Sequence, residues 1–138
     1  MSEVLSGGCA CGAVRYTSRG PALFALNCHC RDCQRESGGA FVPVLAVERA
    51  GFEFDGTPRR YTRTAASGYA TTRLFCGDCG SPVFGFPGSA PELVTIRAGS
   101  LDDPSVFEPA IDVFTDSAQP WDCMDPDLPK ATHLPEPT

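Results

Sequence analysis

Lysine is almost missing from this chain: Lys130 stands alone beside ten scattered arginines, against seventeen acidic residues. Binding to a phosphate backbone draws its affinity from lysine and arginine. A formal charge of −6 and a pI near 4.7 therefore argue against a nucleic-acid partner. Long apolar runs are missing too, so no segment reaches the length that crosses a bilayer, and no membrane partner is expected. The stretch from Met1 to Gly8 has no basic region and no apolar segment, so no secretory leader is expected and the reading is a cytoplasmic protein.

Helical patterning is equally scarce. Fourteen glycines and thirteen prolines break the chain into short segments rich in Val, Phe, Tyr and Thr, with few apolar repeats of period 3.6. Strands are expected at 5–9, 13–18, 23–27, 41–47, 52–55, 59–62, 70–76, 82–86, 93–98 and 111–114. One short helix is expected from Cys30 to Ser37, stopped by Gly38 and Gly39. Asp102-Asp103-Pro104 reads as a turn or a single helical turn. The fold class is mainly β. A length of 138 residues fits one domain, drawn here as 1–124, with a Pro-rich tail over 125–138 (Pro126, Pro129, Pro135, Pro137) that is extended and partly loose.

Cysteine is abundant: eight residues, seven of them in three tight motifs. In a reducing compartment such a set points to metal or catalysis before disulfides. The central motif is Cys28-His29-Cys30-Arg31-Asp32-Cys33. In extended backbone Cys28 and Cys30 project to one face and His29 to the other. A tight turn or the first turn of a helix then brings Cys33 round, which makes a tripod of thiols. Zinc held by three protein ligands keeps a position open for water or substrate, the pattern of a catalytic site. A closed site, completed by His29, His133, Cys123 or a carboxylate, is the other possibility. The second set is split: Cys9-Ala10-Cys11-Gly12 and, more than sixty residues later, Cys76-Gly77-Asp78-Cys79-Gly80. Glycine after the second cysteine permits the positive-φ turn that aims N–H groups at the sulfurs. Pairing these two motifs gives a closed four-thiolate site. The opposite partition, with Cys9 and Cys11 joined to Cys30 and Cys33, stays open on spacing alone. Cys123, beside Trp121, reads as an idle thiol.

Around the tripod, Arg31 and Arg35 could offset thiolate charge or hold a substrate carboxylate, with Asp32 and Glu36 as their partners. His29 reads as a supporting or packing residue. Phe75, Phe84, Phe86 and Phe114 read as core.

Gly7-Gly8-Cys9-Ala10-Cys11-Gly12-Ala13-Val14-Arg15-Tyr16, Cys28-His29-Cys30-Arg31-Asp32-Cys33 and Phe75-Cys76-Gly77-Asp78-Cys79-Gly80-Ser81 together resemble the glutathione-dependent formaldehyde-activating enzyme family, which also includes centromere protein V. The resemblance runs from about Leu5 to the Trp121 region. It implies a β-tent fold of short antiparallel strands. It also implies two zinc ions per chain: a structural one on Cys9, Cys11, Cys76 and Cys79, and a catalytic one on Cys28, Cys30 and Cys33. The activity implied is that of a zinc-dependent carbon–sulfur lyase, joining glutathione or a similar thiol to formaldehyde or a related carbonyl. Two other roles suit the same cysteines. One is a zinc-stabilised β module that binds a protein partner and has no use for an open position. The other is a redox sensor in which Cys28, Cys30 and Cys33 lose zinc and oxidise.

Overall fold

Turn residues cut the chain into ten strands, and the computed structural model, which describes residues 4–65 and 68–133, places all ten where the β-rich segments predict them. They are β1 (Val4–Gly8), β2 (Arg15–Arg19), β3 (Phe24–Cys28), β4 (Val42–Glu48), β5 (Phe52–Asp55), β6 (Arg59–Thr64), β7 (Ala70–Phe75), β8 (Pro82–Pro87), β9 (Leu93–Arg97) and β10 (Ile111–Val113). The helix α1 (Arg31–Ser37) begins after Cys30, whose sulfur accepts the Cys33 N–H at 3.3 Å as an N-cap. It ends at Gly38, whose N–H reaches the Gln34 carbonyl at 2.8 Å. Asp103 caps a single 3-10 turn, Pro104–Val106, as the Asp-Asp-Pro run suggests.

The strands form two sheets. Three pair in the order β1-β2-β5, and seven in the order β10-β3-β4-β9-β8-β7-β6. All pairings are antiparallel except β10 against β3, which is parallel because β10 returns to β3 through a long connection rather than a hairpin. The main core lies between the sheets, where Val14 and Tyr16 meet Leu45, Val47, Leu74, Val83, Phe84, Val94 and Ile96. Phe84 is fully buried, whereas Phe86 packs on this cluster only partly buried. A second, smaller core on the outer face of the large sheet joins Leu26, Val42, Val44 and Val113, with Cys28, Cys33 and Phe114 packed against it. This second cluster is the bed on which the tripod rests.

One contact ties the two sheets by chemistry as well as packing. The buried Tyr16 hydroxyl lies 2.6 Å from Ser100 Oγ, and Ser100 spends its own proton on the Arg97 and Val83 carbonyls. Tyr16 is therefore the donor between them. Burial, the largest cause, pushes its hydroxyl up to about 12. Tyr16→Phe removes one partly buried hydrogen bond and no volume, and is expected to cost about 1 kcal/mol. A melting curve should show a drop of about 3–5 °C.

The tail departs from a loose strand. The Asp112 N–H donates to the Pro129 carbonyl at 3.0 Å, and the Ala131 N–H to the Asp112 carbonyl at 2.9 Å. Residues 129–131 are extended but pinned along β10. Pro135 and Pro137 lie outside the described residues. Among the described residues no helix is long and apolar enough to cross a membrane.

Candidate metal centres

The turns on either side of the strands carry the cysteines. Cys9 and Cys11 occupy the β1–β2 connection, and Cys76 and Cys79 the β7–β8 connection. The sheets bring these two turns together so that all four sulfurs lie within 4.8 Å of one another. Gly12 (φ 83°) and Gly80 (φ 80°) adopt the left-handed backbone that each turn requires after its second cysteine. The Val14 N–H then points at the Cys9 sulfur (3.2 Å) and the Asp78 N–H at the Cys76 sulfur (3.4 Å).

The donor set fits a tetrahedral metal. Metal–sulfur bonds of about 2.3 Å place tetrahedral sulfurs about 3.8 Å apart. The Cys9–Cys11 and Cys11–Cys76 sulfur separations are each 3.7 Å. Four thiols at this spacing suit zinc or iron. The partition into Cys9, Cys11, Cys76 and Cys79 on one side and Cys28, Cys30 and Cys33 on the other is the one the structure adopts.

Within the four-thiol cluster, sulfur–sulfur contacts split the titrations. Cys11 is pushed up to about 12: the Ala13 N–H lowers it, but Cys76 and Cys9 outweigh that. Cys79 is drawn down to about 5, first by the Ser81 hydroxyl and then by the Ser81 N–H.

The tripod sits at the end of β3 and the start of α1. Its three half-buried sulfurs lie within 4.8 Å of one another, and among the described residues no fourth Cys, His, Asp or Glu atom joins them. Cys30 is the favoured thiolate, held down to about 2 by thiol contacts from Cys28 and Cys33 and by the Cys33 and Asp32 N–H groups. The same contacts push Cys28 up to about 12, with Cys30 the largest cause, and raise Cys33 through Cys28 and then Cys30.

None of the other candidate fourth ligands is placed to close it. Cys123 is exposed, and His133 lies 3.6 Å from Asp116 with its ring edge-on to Phe114. His29 is turned away and almost fully buried, as alternation along β3 predicts. Its Nε2 lies 2.9 Å from Asp112 Oδ1 and its Nδ1 2.8 Å from Asp122 Oδ2, the second contact without a hydrogen bond. Asp112 carries more: Asn27 Nδ2 donates to it at 3.2 Å and Lys130 Nζ at 3.0 Å. Burial raises the Asp112 carboxyl, but hydrogen bonds from His29, Lys130 and Asn27 outweigh it and hold the group below its usual range. Lys130, the sole lysine, also donates to the Asp125 and Leu128 carbonyls, so all three of its donors are used.

Helix α1 is fixed by polar contacts that its sequence pattern does not advertise. Gln34 is buried and donates to the His29 carbonyl at 2.8 Å and the Ser117 carbonyl at 2.9 Å, while Arg31 donates to its side-chain oxygen. Asp32 and Glu36 do not pair with Arg31 and Arg35. Both reach across to the large sheet: Asp32 meets Arg63 at 2.9 Å, and Glu36 meets Arg73 at 3.2 Å and Arg97 at 2.7 Å. The acids side with the sheet because α1 lies over its arginine-bearing face, while Arg31 bonds Gln34 and Arg35 is exposed to solvent. A groove between Leu23, Phe24, Arg49 and Leu93 lies at the other end of β3 and takes no part in either cluster.

The fold and its two cysteine clusters define a mainly β protein able to hold one metal in a closed set of four thiols and another in an open set of three. Comparison with known proteins narrows the class. The family model for the glutathione-dependent formaldehyde-activating enzyme matches residues 4–117, and the chain belongs to that family. A Halomonas elongata protein, provisionally named a glutathione-dependent formaldehyde-activating enzyme, is 30% identical over 104 residues, covering 72% of this chain. The chain spans 66% of that protein's length. A crystal structure of a Rhodobacter sphaeroides protein shares the fold, with a TM-score of 0.58 at 20% identity, covering 75% of this chain and 96% of that one.

Proposed function

We propose that the chain is a zinc-dependent carbon–sulfur lyase that joins a small thiol, glutathione or a close analogue, to formaldehyde or a related carbonyl. The observation that carries this reading is the three-thiol tripod with no fourth donor among the described residues, standing apart from a four-thiol cluster that needs none. The family, and the name of the Halomonas relative, supply the thiol and the aldehyde. Zinc bound at the tripod would supply an open position where an incoming thiol loses its proton.

The chain's own residues do the rest. Cys28, Cys30 and Cys33 fix that position on a rigid strand end and a helix cap. The Cys33 and Asp32 N–H groups hold charge on Cys30. Cys9, Cys11, Cys76 and Cys79 staple the two sheets and stay out of the reaction. The reaction forms one bond between the thiol sulfur and the carbonyl carbon, and the proton leaving sulfur ends on the carbonyl oxygen. The reverse breaks the same bond.

Metal analysis of native protein, paired with formaldehyde consumption, tests the reading. Two zinc ions per chain and consumption above the uncatalysed rate, dependent on thiol and lost in Cys30→Ser, are expected. Fully loaded protein that leaves the uncatalysed rate unchanged with every thiol tried would remove the lyase assignment.

A further inference from the structure

The face of the large sheet that presents the tripod also presents three arginines. Paired residues in a sheet share a face. Leu26 pairs with Val44 and Val44 with Arg97, and Cys28 follows Leu26 by two residues, so Arg97 projects with Cys28. Arg73 pairs with Gly85, Gly85 with Thr95, and Thr95 stands two residues from Arg97. Tyr61 pairs with Arg73, and Arg63 follows it by two residues on β6. The ion pairs to α1 agree with this register, because a helix lying on that face reaches all three guanidinium groups.

The three arginines are not equivalent. Glu36, almost fully buried, holds both Arg73 and Arg97, and Arg97 donates besides to the Thr95 carbonyl and hydroxyl. Those two are committed. Arg63 is 41% exposed and its one ion pair among the described residues is with Asp32, which stands in the first turn of α1 between Cys30 and Cys33 and is partly open to solvent. The backbone N–H of Asp32 touches the Cys30 sulfur. Arg63 is thus tied to the turn that carries Cys30 and Cys33 through the residue between them, and on this face three guanidinium charges are set against two carboxylates.

We propose that Arg63 is the carboxylate anchor of the substrate site: its guanidinium exchanges Asp32 for a carboxylate of the incoming thiol and so selects acidic thiols over neutral ones. Guanidinium and carboxylate match as a two-pronged pair, a stronger and more directional contact than a lone charge makes. Asp32 keeps the fork oriented while the site is empty. The assignment rests on the lyase reading for its thiol, but the recognition of a carboxylate is separable from the chemistry.

S-Methylglutathione, which has the carboxylates and no free thiol, isolates that recognition. Titration calorimetry on the full chain, with metal content confirmed in each variant, should show binding that weakens by about tenfold or more in Arg63→Met. Asp32→Asn, which removes the competitor, should tighten it. In turnover, the ratio of kcat/KM for glutathione over 2-mercaptoethanol should fall in Arg63→Met. No binding of S-methylglutathione to the parent protein, equal binding by Arg63→Met, or an unchanged ratio would overturn the anchor. If no thiol supports turnover the lyase reading fails, and the calorimetry alone still decides whether Arg63 holds a carboxylate.

Discussion

Cys9→Ser is expected to leave no folded protein at 37 °C, whereas Cys30→Ser is expected to fold and to carry one metal ion fewer. The difference follows from where the sulfurs sit. Cys9 and Cys76 belong to the main core, packed with Val14, Leu74 and Phe84, and their cluster joins turns from both sheets. Structural zinc contributes on the order of 10 kcal/mol to the folding of small domains. Net stability of a domain is about 5–15 kcal/mol, so losing that ion removes most or all of it. Cys30 is half-buried, outside both cores, and its loss leaves the sheets and their staple intact. Circular dichroism and metal analysis on the two variants, purified side by side, read both outcomes. A folded, single-metal Cys9→Ser protein would show that the four-thiol cluster is not what holds the sheets together.

Asp112→Ala is expected to destabilise the protein by about 1–3 kcal/mol, the usual result of leaving buried hydrogen-bond donors without their acceptor. Asp112 is 1% exposed and satisfies three donors, from His29, Asn27 and Lys130, so its removal strands the buried His29 ring and the Asn27 amide, while the part-exposed Lys130 keeps two carbonyl acceptors and water. Because His29 lies between Cys28 and Cys30, the damage should also weaken metal binding at the tripod while leaving the four-thiol cluster loaded. The acid limb of the stability curve provides a second check. A carboxyl held below its ordinary value contributes stability that is complete above about pH 3.9 and is lost as pH falls through the lowered folded value. The parent protein should show that acid loss, and Asp112→Ala should show less of it. Urea unfolding of both proteins from neutral to acid pH gives both numbers. An Asp112→Ala protein of parental stability would mean that the network is decorative.

Much of this was legible in the sequence, and the limits of legibility have a physical pattern. Turn residues and β-branched runs mark every strand, and two glycines mark the end of α1, because those signals are local. The cysteine motifs revealed both clusters because ligand spacing is imposed by the geometry of the metal. What the sequence did not show was pairing over distance. Nothing local says that β10 runs parallel to β3, or that Asp112 and Asp122 close on a histidine more than eighty residues earlier. Asp32 and Glu36 looked like partners for their helical neighbours, since spacing along a helix is all a sequence offers. In the fold, arginines on β6, β7 and β9 lie closer to them. Lys130 was visible only as an oddity of composition. A lone lysine in a proline-rich tail carries no hint that it docks on a buried aspartate.

β6 ends the large sheet, and all six of its residues are exposed. Such an edge offers free amides and carbonyls on which another molecule could build a further strand. Here the edge carries Arg59, Arg60 and Arg63 on a chain that is otherwise acidic. A second copy approaching edge to edge would set guanidinium against guanidinium inside a screening distance of about 8 Å. Like charge along an outermost strand is one of the devices by which sheet edges resist pairing with their own kind.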